Sequence, residues 1–227
     1  MQDCINALKK FGPKIAQIYG QGETPMTITG MTKQAVQQAY EKNDQAYLGS
    51  VGSAFSSVEV AVVDEHGNPL PAETPGEIVV RGPTVMQGYW QNPQATADTV
   101  RDGWLHTGDI GTFDVNGVLT LKDRSKDLII SGGTNIYPRE VEEMLITHPA
   151  IKEACVVGVP DAEWGESVAA VVVTEAGSAL STEEIDQFCI EHLARFKRPK
   201  RYLVTSELPK NATGKVLKAK VKEMLEN

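Results

Sequence analysis

Asp123-Arg124-Ser125-Lys126-Asp127 separates two stretches of different pattern. Upstream, from Leu48, strand and turn signals alternate at short intervals. Val58-Glu59-Val60-Ala61-Val62-Val63 predicts a strand, Asp64-Glu65-His66-Gly67-Asn68 a turn, and Glu77-Ile78-Val79-Val80-Arg81 another strand,. Asn116-Gly117 is a hairpin signal ahead of the strand Val118-Leu119-Thr120-Leu121,. Short strands with frequent turns predict a distorted antiparallel β-barrel. Downstream the pattern mixes helix and strand. Pro138 can open a helix with Val141, Met144 and Leu145 on one face. Ala154 to Val159 and Val168 to Thr174 predict buried strands, and Tyr202-Leu203-Val204 a third. Ser181-Thr182-Glu183-Glu184 is a capping box for a helix that buries Ile185, Phe188, Cys189 and Leu193,. Gly214 to Leu225 predicts a final helix. The expected fold is α+β: a barrel subdomain in residues 1–123, then a small mobile lid in residues 124–227, built on a small three-stranded sheet with helices. The polar joint 124–127 can act as a hinge, where few residues absorb the backbone change.

Composition narrows the function classes. The net charge of −8 gives no general affinity for nucleic acid,. Arg195 to Lys222 nevertheless holds ten Lys or Arg against one acid, Glu207, and such a segment can attract a compact polyanion,. For most of these side chains a solvated face is the simpler reading. No run of apolar residues is long enough for a transmembrane helix. The first residues lack a basic stretch followed by an apolar one, so a secretory signal is not expected. Cys4, Cys155 and Cys189 have no CxxC spacing and read as reduced thiols, which points to a cytoplasmic protein,. Cys155 and Cys189 lie among apolar residues and are expected in the core.

Several short stretches could carry chemistry. In Tyr19-Gly20-Gln21-Gly22-Glu23 the glycines allow close approach to backbone, the tyrosine offers a face for a base, and the carboxylate suits Mg2+ on a triphosphate; a turn between strands is the plainer reading,. Thr107-Gly108-Asp109 reads as a tight turn whose carboxylate could accept two ribose hydroxyls or only stabilise its own turn. Ser131-Gly132-Gly133-Thr134-Asn135 could line a narrow channel or form an ordinary turn. Lys215 follows Gly214 in a Pro-Lys-Asn-Ala-Thr loop, where it could meet a phosphoryl or carboxyl oxygen or start a helix in solvent. His106 and His148 read as turn or surface residues, and Trp90 and Trp104 as barrel anchors.

In order and spacing these stretches resemble the adenylate-forming superfamily, which includes acyl- and aryl-CoA synthetases, luciferases and peptide-synthetase adenylation domains. The resemblance covers essentially the whole chain. It rests on Tyr19 to Glu23, on Gly76-Glu77-Ile78 with Gly82 and Gly88-Tyr89-Trp90, on Asp102 to Asp109, on Asp123 to Pro138, and on Lys210 to Lys215. It implies that Tyr19, within Tyr19-Gly20-Gln21-Gly22, packs on adenine, that Glu23 binds Mg2+, and that Asp109 holds both ribose hydroxyls with Arg124 in support. It also implies that Lys126 is the hinge residue and that Gly132 and Gly133 border the pantetheine channel. Lys215 becomes the catalytic lysine bridging acyl carboxylate and α-phosphate.

The implied activity is ATP-dependent acid–CoA ligation, with ATP, Mg2+ and coenzyme A and a small carboxylic acid as substrate. The acid would be a fatty or aryl (cinnamate- or ferulate-like) one. Homo-oligomers are left open. Gly22 departs from the pattern, which has Thr there; the lost hydroxyl contact to the α-phosphate is worth roughly 0.5–1.5 kcal/mol, and Thr24 or the Gly22 N–H are the candidates to replace it. No Ser/Thr/Gly-rich phosphate loop occurs in the sequence,. The chain is therefore expected to be a shortened form of a longer enzyme and inactive alone. The alternative is a non-catalytic module that binds nucleotide, CoA or protein. Lys197, Arg198, Lys200 and Arg201 are candidates to meet CoA phosphates.

Overall fold

The structure, a computed structural model, describes residues 2–226. The chain forms two compact units that divide between Ser125 and Lys126, with a 3-10 turn, Ser125–Asp127, at the join. Within the described residues no helix is long and apolar enough to cross a membrane.

The first unit opens with helix α1 (Gln2–Phe11) and the hairpin β1 (Gln17–Gln21) and β2 (Thr24–Met31). Helices α2 (Lys33–Glu41) and α3 (Gln45–Leu48) follow. Thr32 and Asp44 start them by accepting the backbone N–H of Ala35 and Tyr47, which satisfies donors a helix start leaves open. These helices bury Leu8, Val36, Ala39 and Leu48 against Met31. β3 (Ser53–Ala54) adds to β2, closing a small three-stranded antiparallel sheet.

β4 (Glu59–Val63), β5 (Gly76–Arg81), α4 (Pro93–Thr99), β6 (Val100–Arg101), β7 (Trp104–Phe113) and β8 (Leu119–Arg124) complete the unit. The five strands form an antiparallel sheet in the order β4-β5-β7-β6, and β8 also pairs with β7. Backbone bonds tie the two sheets together: Val51 N donates to Leu119 O and Leu119 N to Gly52 O, both at 2.8 Å. The strands therefore curl around one core that includes Tyr19, Ile28, Val62, Ile78, Val80 and Leu119. The expected distorted barrel is a curled half-barrel. Asp64 makes the β4 turn as read from sequence, its Oδ1 accepting from His66 N and Asn68 N.

The second unit comprises β9 (Ile129–Ser131), β10 (Thr134–Ile136), α5 (Pro138–Leu145), β11 (Ile151–Asp161), β12 (Gly165–Thr174), α6 (Thr182–His192), β13 (Arg201–Thr205) and α7 (Lys218–Glu226). β12 is central, antiparallel to β11 and parallel to β13. Its unbroken apolar run follows from burial on both faces. Successive side chains point to opposite faces of a strand. Val168, Ala170 and Val172 thus meet α5 and α6 through Val141, Leu145, Ile185 and Cys189. Ala169, Val171 and Val173 meet Val221 and Leu225 of α7 on the other face. The three strands expected from sequence all pair here, and the short hairpin β9–β10 extends their sheet. The Ser181–Glu184 capping box is present, and Cys155 and Cys189 are buried.

Three local expectations fail. The last helix starts at Lys218, not Gly214, because Lys210 to Val216 closes on itself as a bridged turn. Thr107-Gly108-Asp109 is not a tight turn but lies inside β7. Trp90 is no anchor: it is 89% exposed, because Tyr89 is held by its N–H to Thr96 Oγ1 and its hydroxyl to Glu23, which turns the next side chain outward. Trp104 is half-buried under the Arg81 guanidinium, 4.6 Å from its ring centre.

Candidate functional site

In the first unit, β5 and β7 pair Val79 with His106 and Glu77 with Ile110. Between these pairs Ile78 alone faces Thr107, Gly108 and Asp109, so β7 bulges. A bulge bends its strand, re-aims a side chain and leaves backbone groups unpaired. Gly108 takes φ +68°, which favours glycine,. Side chains take up the freed groups. Thr107 Oγ1 donates to Ile78 O at 2.7 Å and accepts from Asp109 N at 3.1 Å. Gly108 N donates to Glu77 Oε1 at 3.1 Å. Gln21 Nε2 donates to Thr107 O at 2.9 Å.

The bulge brings Asp109, 7% exposed, to the end of β1. Its Oδ2 accepts from Tyr19 OH at 2.7 Å and Gln21 Nε2 at 2.6 Å. Its Oδ1 faces Arg124 Nε at 3.1 Å, from the residue paired with it on β8. Tyr19, Gln21, Asp109 and Arg124, read from distant parts of the sequence, thus form one cluster. Burial, and then the adjacent Asp109 charge, push the Tyr19 phenol far above its ordinary value,. The Tyr19 ring is only 7% exposed, so the face it offers a base is narrow.

The rest of the β1–β2 turn differs residue by residue. A Cβ on Gly20 would come 2.3 Å from Met26 N, so the two strands require glycine there. Gly22 meets nothing within 4 Å and has room for the threonine of the resemblance. Thr24 cannot replace that threonine: it is fully buried, and its hydroxyl is engaged by Thr27 and Thr84 at 3.1 and 3.3 Å. Glu23 Oε1 accepts from Tyr89 OH at 2.7 Å, and that bond is the main reason the Tyr89 phenol is raised. Among the described residues no three His, Cys, Asp or Glu side chains gather as a metal cage. Mg2+ commonly keeps several waters and takes one or two carboxylates plus substrate phosphates, so Glu23 fits such an ion as a single protein ligand.

His106 also departs from its reading as a turn or surface residue. It sits in β7 with its side chain 15% exposed, Nδ1 2.8 Å from Glu77 Oε2. His148 does lie in a turn, its Nδ1 accepting from Ala150 N.

In the second unit, Lys215 is carried by a loop that Asn211 organises. Asn211 Oδ1 accepts from Thr213 N, Thr213 Oγ1 and Lys215 N at 3.0, 2.8 and 2.8 Å. Asn211 N donates to Lys215 O at 2.9 Å, and Gly214 turns the chain at φ +83°. Lys210 pairs with Glu153 and Lys218 with Asp127 and Glu142. Lys215 is exposed and has no ion-pair partner among the described residues. Lys126 is exposed in its 3-10 turn.

Gly132 and Gly133 form the tip of the β9–β10 hairpin at φ +56° and +78°, the left-handed pair a two-residue turn of this kind needs. Gly132 N donates to Trp164 O at 2.9 Å, and a Cβ at Gly132 would lie 2.4 Å from the Trp164 ring. Beside this contact a cavity of about 620 Å³ is lined by Gly132, Trp164, Arg195, Phe196, Arg198 and Lys200, among others. Lys200 Nζ lies 5.4 Å from the Trp164 ring centre. Of the basic candidates, Arg198 and Lys200 reach the cavity while also pairing with Asp186 and Asp161; Lys197 is paired with Glu140, and Arg201 donates to Leu225 O. Trp164, Phe196 and Arg195 were not singled out from the sequence. The Phe196-Lys197-Arg198 run, an aromatic beside cations, was the available signal.

Two family descriptions match the chain in order: AMP-binding enzyme over residues 2–90 and AMP-binding enzyme C-terminal domain over residues 140–215. A long-chain-fatty-acid–CoA ligase of Bacillus subtilis is 45% identical over 217 residues, 95% of this chain and 37% of that protein. A medium/long-chain-fatty-acid–CoA ligase of Mycobacterium tuberculosis is 42% identical over 216 residues, 92% of this chain and 37% of that protein. The solved o-succinylbenzoate CoA synthetase of Bacillus subtilis, in complex with its acyl-adenylate intermediate, superposes with a TM-score of 0.84 at 37% identity, over 96% of this chain and 43% of that one. The chain thus spans about two-fifths of the length of these relatives. With both descriptions matched in sequence order and the fold shared, the chain belongs to the AMP-binding, adenylate-forming enzyme family and carries that family's C-terminal domain in residues 140–215.

Proposed function

We propose that the protein serves ATP-dependent acid–CoA ligation. A carboxylate oxygen attacks the α-phosphorus of ATP and pyrophosphate leaves; the CoA sulfur then attacks the acyl carbon and AMP leaves, giving a thioester. The observation that carries this reading is the buried Asp109 carboxylate, oriented by Tyr19, Gln21 and Arg124. An ionised carboxylate only accepts hydrogen bonds. Asp109 Oδ1, next to the half-exposed Arg124 side chain, is the side from which two ribose hydroxyls would donate. The relatives' names support the ligase class.

The other residues take roles by their setting. Glu23 would hold Mg2+, which neutralises triphosphate charge. Lys215, exposed on an ordered loop, would bridge the acyl carboxylate and the α-phosphate as a mobile point charge. Rotation at Lys126 would withdraw Lys215 and present the Gly132–Gly133 hairpin to CoA. The adjacent cavity, with Trp164, Phe196 and three cations, has the chemistry for a phosphorylated nucleotide with an aromatic base. The acid would be a fatty or aryl one.

The absence of a Ser/Thr/Gly-rich phosphate loop from the sequence favours a second reading for the chain by itself: nucleotide and CoA binding without turnover. One set of measurements on the purified chain tests both. Calorimetry should show AMP binding tighter than 2′,3′-dideoxy-AMP binding, with Asp109→Ala abolishing the difference. Pyrophosphate exchange with fatty and aryl acids should be absent. Equal binding of the two nucleotides would sink the ribose role of Asp109, and robust exchange would sink the non-catalytic reading.

A further inference from the structure

The bulge that aims Asp109 needs a brace, and the geometry points to Glu77: we infer that Glu77 is the positioning residue that holds Asp109 in place, through Gly108 and His106. Its two carboxylate oxygens divide the task. Oε1 accepts the Gly108 N–H at 3.1 Å, a donor the bulge would otherwise leave unpaired. Oε2 lies 2.8 Å from His106 Nδ1, on the residue that enters the bulge. Gly108 directly precedes Asp109, so the brace acts one residue from the cluster and touches none of its side chains. Thr107 and Gln21 secure the other bulge groups, which leaves the Gly108 amide to Glu77.

The arrangement prescribes a proton position. A carboxylate has no donor, so His106 must carry a hydrogen on Nδ1. Arg101 Nη2 also approaches Glu77 Oε2, at 3.9 Å, but its side chain is 53% exposed, and an exposed pair of that length contributes little. Gly108 and His106 are thus the partners that matter. A glutamine at 77 could keep both: its carbonyl oxygen accepts from Gly108, and its NH2 donates to a His106 that has moved its hydrogen to Nε2.

The test uses the full chain and proton–nitrogen NMR. In the wild-type protein His106 should carry a hydrogen on Nδ1. Glu77→Ala should speed exchange of the Gly108 amide by about tenfold or more, with β2 and α2 amides, in the same unit, unchanged as the control for folding. Glu77→Gln should keep Gly108 protected and flip His106 to the Nε2–H tautomer. A role in general stability alone would not produce that flip. Should Glu77→Ala fail to fold, the wild-type tautomer and the glutamine variant still decide. An Nε2–H tautomer in the wild type, or undiminished Gly108 protection in Glu77→Ala, overturns the brace. Its functional consequence rests on the ribose reading: Glu77→Ala should lose the preference for AMP over 2′,3′-dideoxy-AMP, and Glu77→Gln should retain it. If the wild type shows no such preference, the ribose reading falls, while exchange and tautomer measurements still judge Glu77.

Discussion

The Tyr19 hydroxyl donates to Asp109 Oδ2 at 2.7 Å, joining residues 90 positions apart in a buried contact. The bond couples the end of the first hairpin to the bulge of β7. It leaves Asp109 Oδ1 toward Arg124 and the Tyr19 ring largely covered.

Tyr19→Phe removes the donor and leaves Gln21 and Arg124 on the carboxylate. A hydrogen bond to a charged group contributes about 1.5–3 kcal/mol, and two remaining partners soften the loss. Urea unfolding should show a stability decrease of about 1–2 kcal/mol. AMP affinity should fall in parallel. Wild-type stability in the variant would mean that Tyr19 does not orient Asp109.

The alkaline limb of stability follows from two phenols. Burial, first, and the Asp109 charge raise Tyr19; burial, first, and contact with Cys189 and Asp186 raise Tyr202. Their folded-state values lie above the unfolded value of about 10. The stability they contribute is therefore present below that pH and is lost as pH rises beyond it. A phenolate absorbance titration should show Tyr19 and Tyr202, of the six tyrosines, ionising only as the circular dichroism collapses. Ionisation of all six near their ordinary value in a folded protein would contradict this.

Gly22→Thr tests the departure from the family pattern. Gly22 has no φ that demands glycine, and an added Cβ meets nothing within 4 Å. Thermal unfolding should shift by less than about 0.5 kcal/mol. If the threonine hydroxyl reaches the α-phosphate, AMP affinity should rise by roughly 0.5–1.5 kcal/mol. A large loss of stability would show that the turn needs glycine.

Lys215 and Asn211 should separate charge from scaffold. Lys215→Ala removes an exposed cation with no ion-pair partner among the described residues, so stability should change by less than about 0.5 kcal/mol. Asn211→Ala removes the acceptor of three hydrogen bonds and should accelerate amide exchange at Thr213 and Lys215. Unchanged exchange there would mean that the loop holds its shape without Asn211.

Gly132→Ala places a Cβ 2.4 Å from Trp164 at a left-handed φ. Steric and backbone strain together should cost about 1–3 kcal/mol. The Trp164 indole should move, changing tryptophan fluorescence, and CoA binding by the chain should weaken. A variant with native fluorescence and native CoA affinity would separate the hairpin tip from the cavity.

The sequence by itself determined what depends on neighbours in the chain. The apolar run Val168 to Thr174 reads as a buried strand, and the structure covers it on both faces. Ser181 and Glu184 cap a helix within four residues of one another, and Asp64 closes a turn on His66 and Asn68. The ordered motifs, read together, also indicated the family. Tertiary structure decided whatever depends on a partner strand. A glycine at positive φ followed by Asp looks the same in a turn and in a bulge; only β5, pairing on both sides of Ile78, made Thr107-Gly108-Asp109 a bulge. The same pairing put His106 on Glu77, 29 residues away. Trp164 and Phe196 share a cavity because β12 and the segment before β13 return to the Gly132 hairpin. Such contacts leave no local trace, because each residue's own neighbours would accept several conformations and the energy that selects one comes from distant chain.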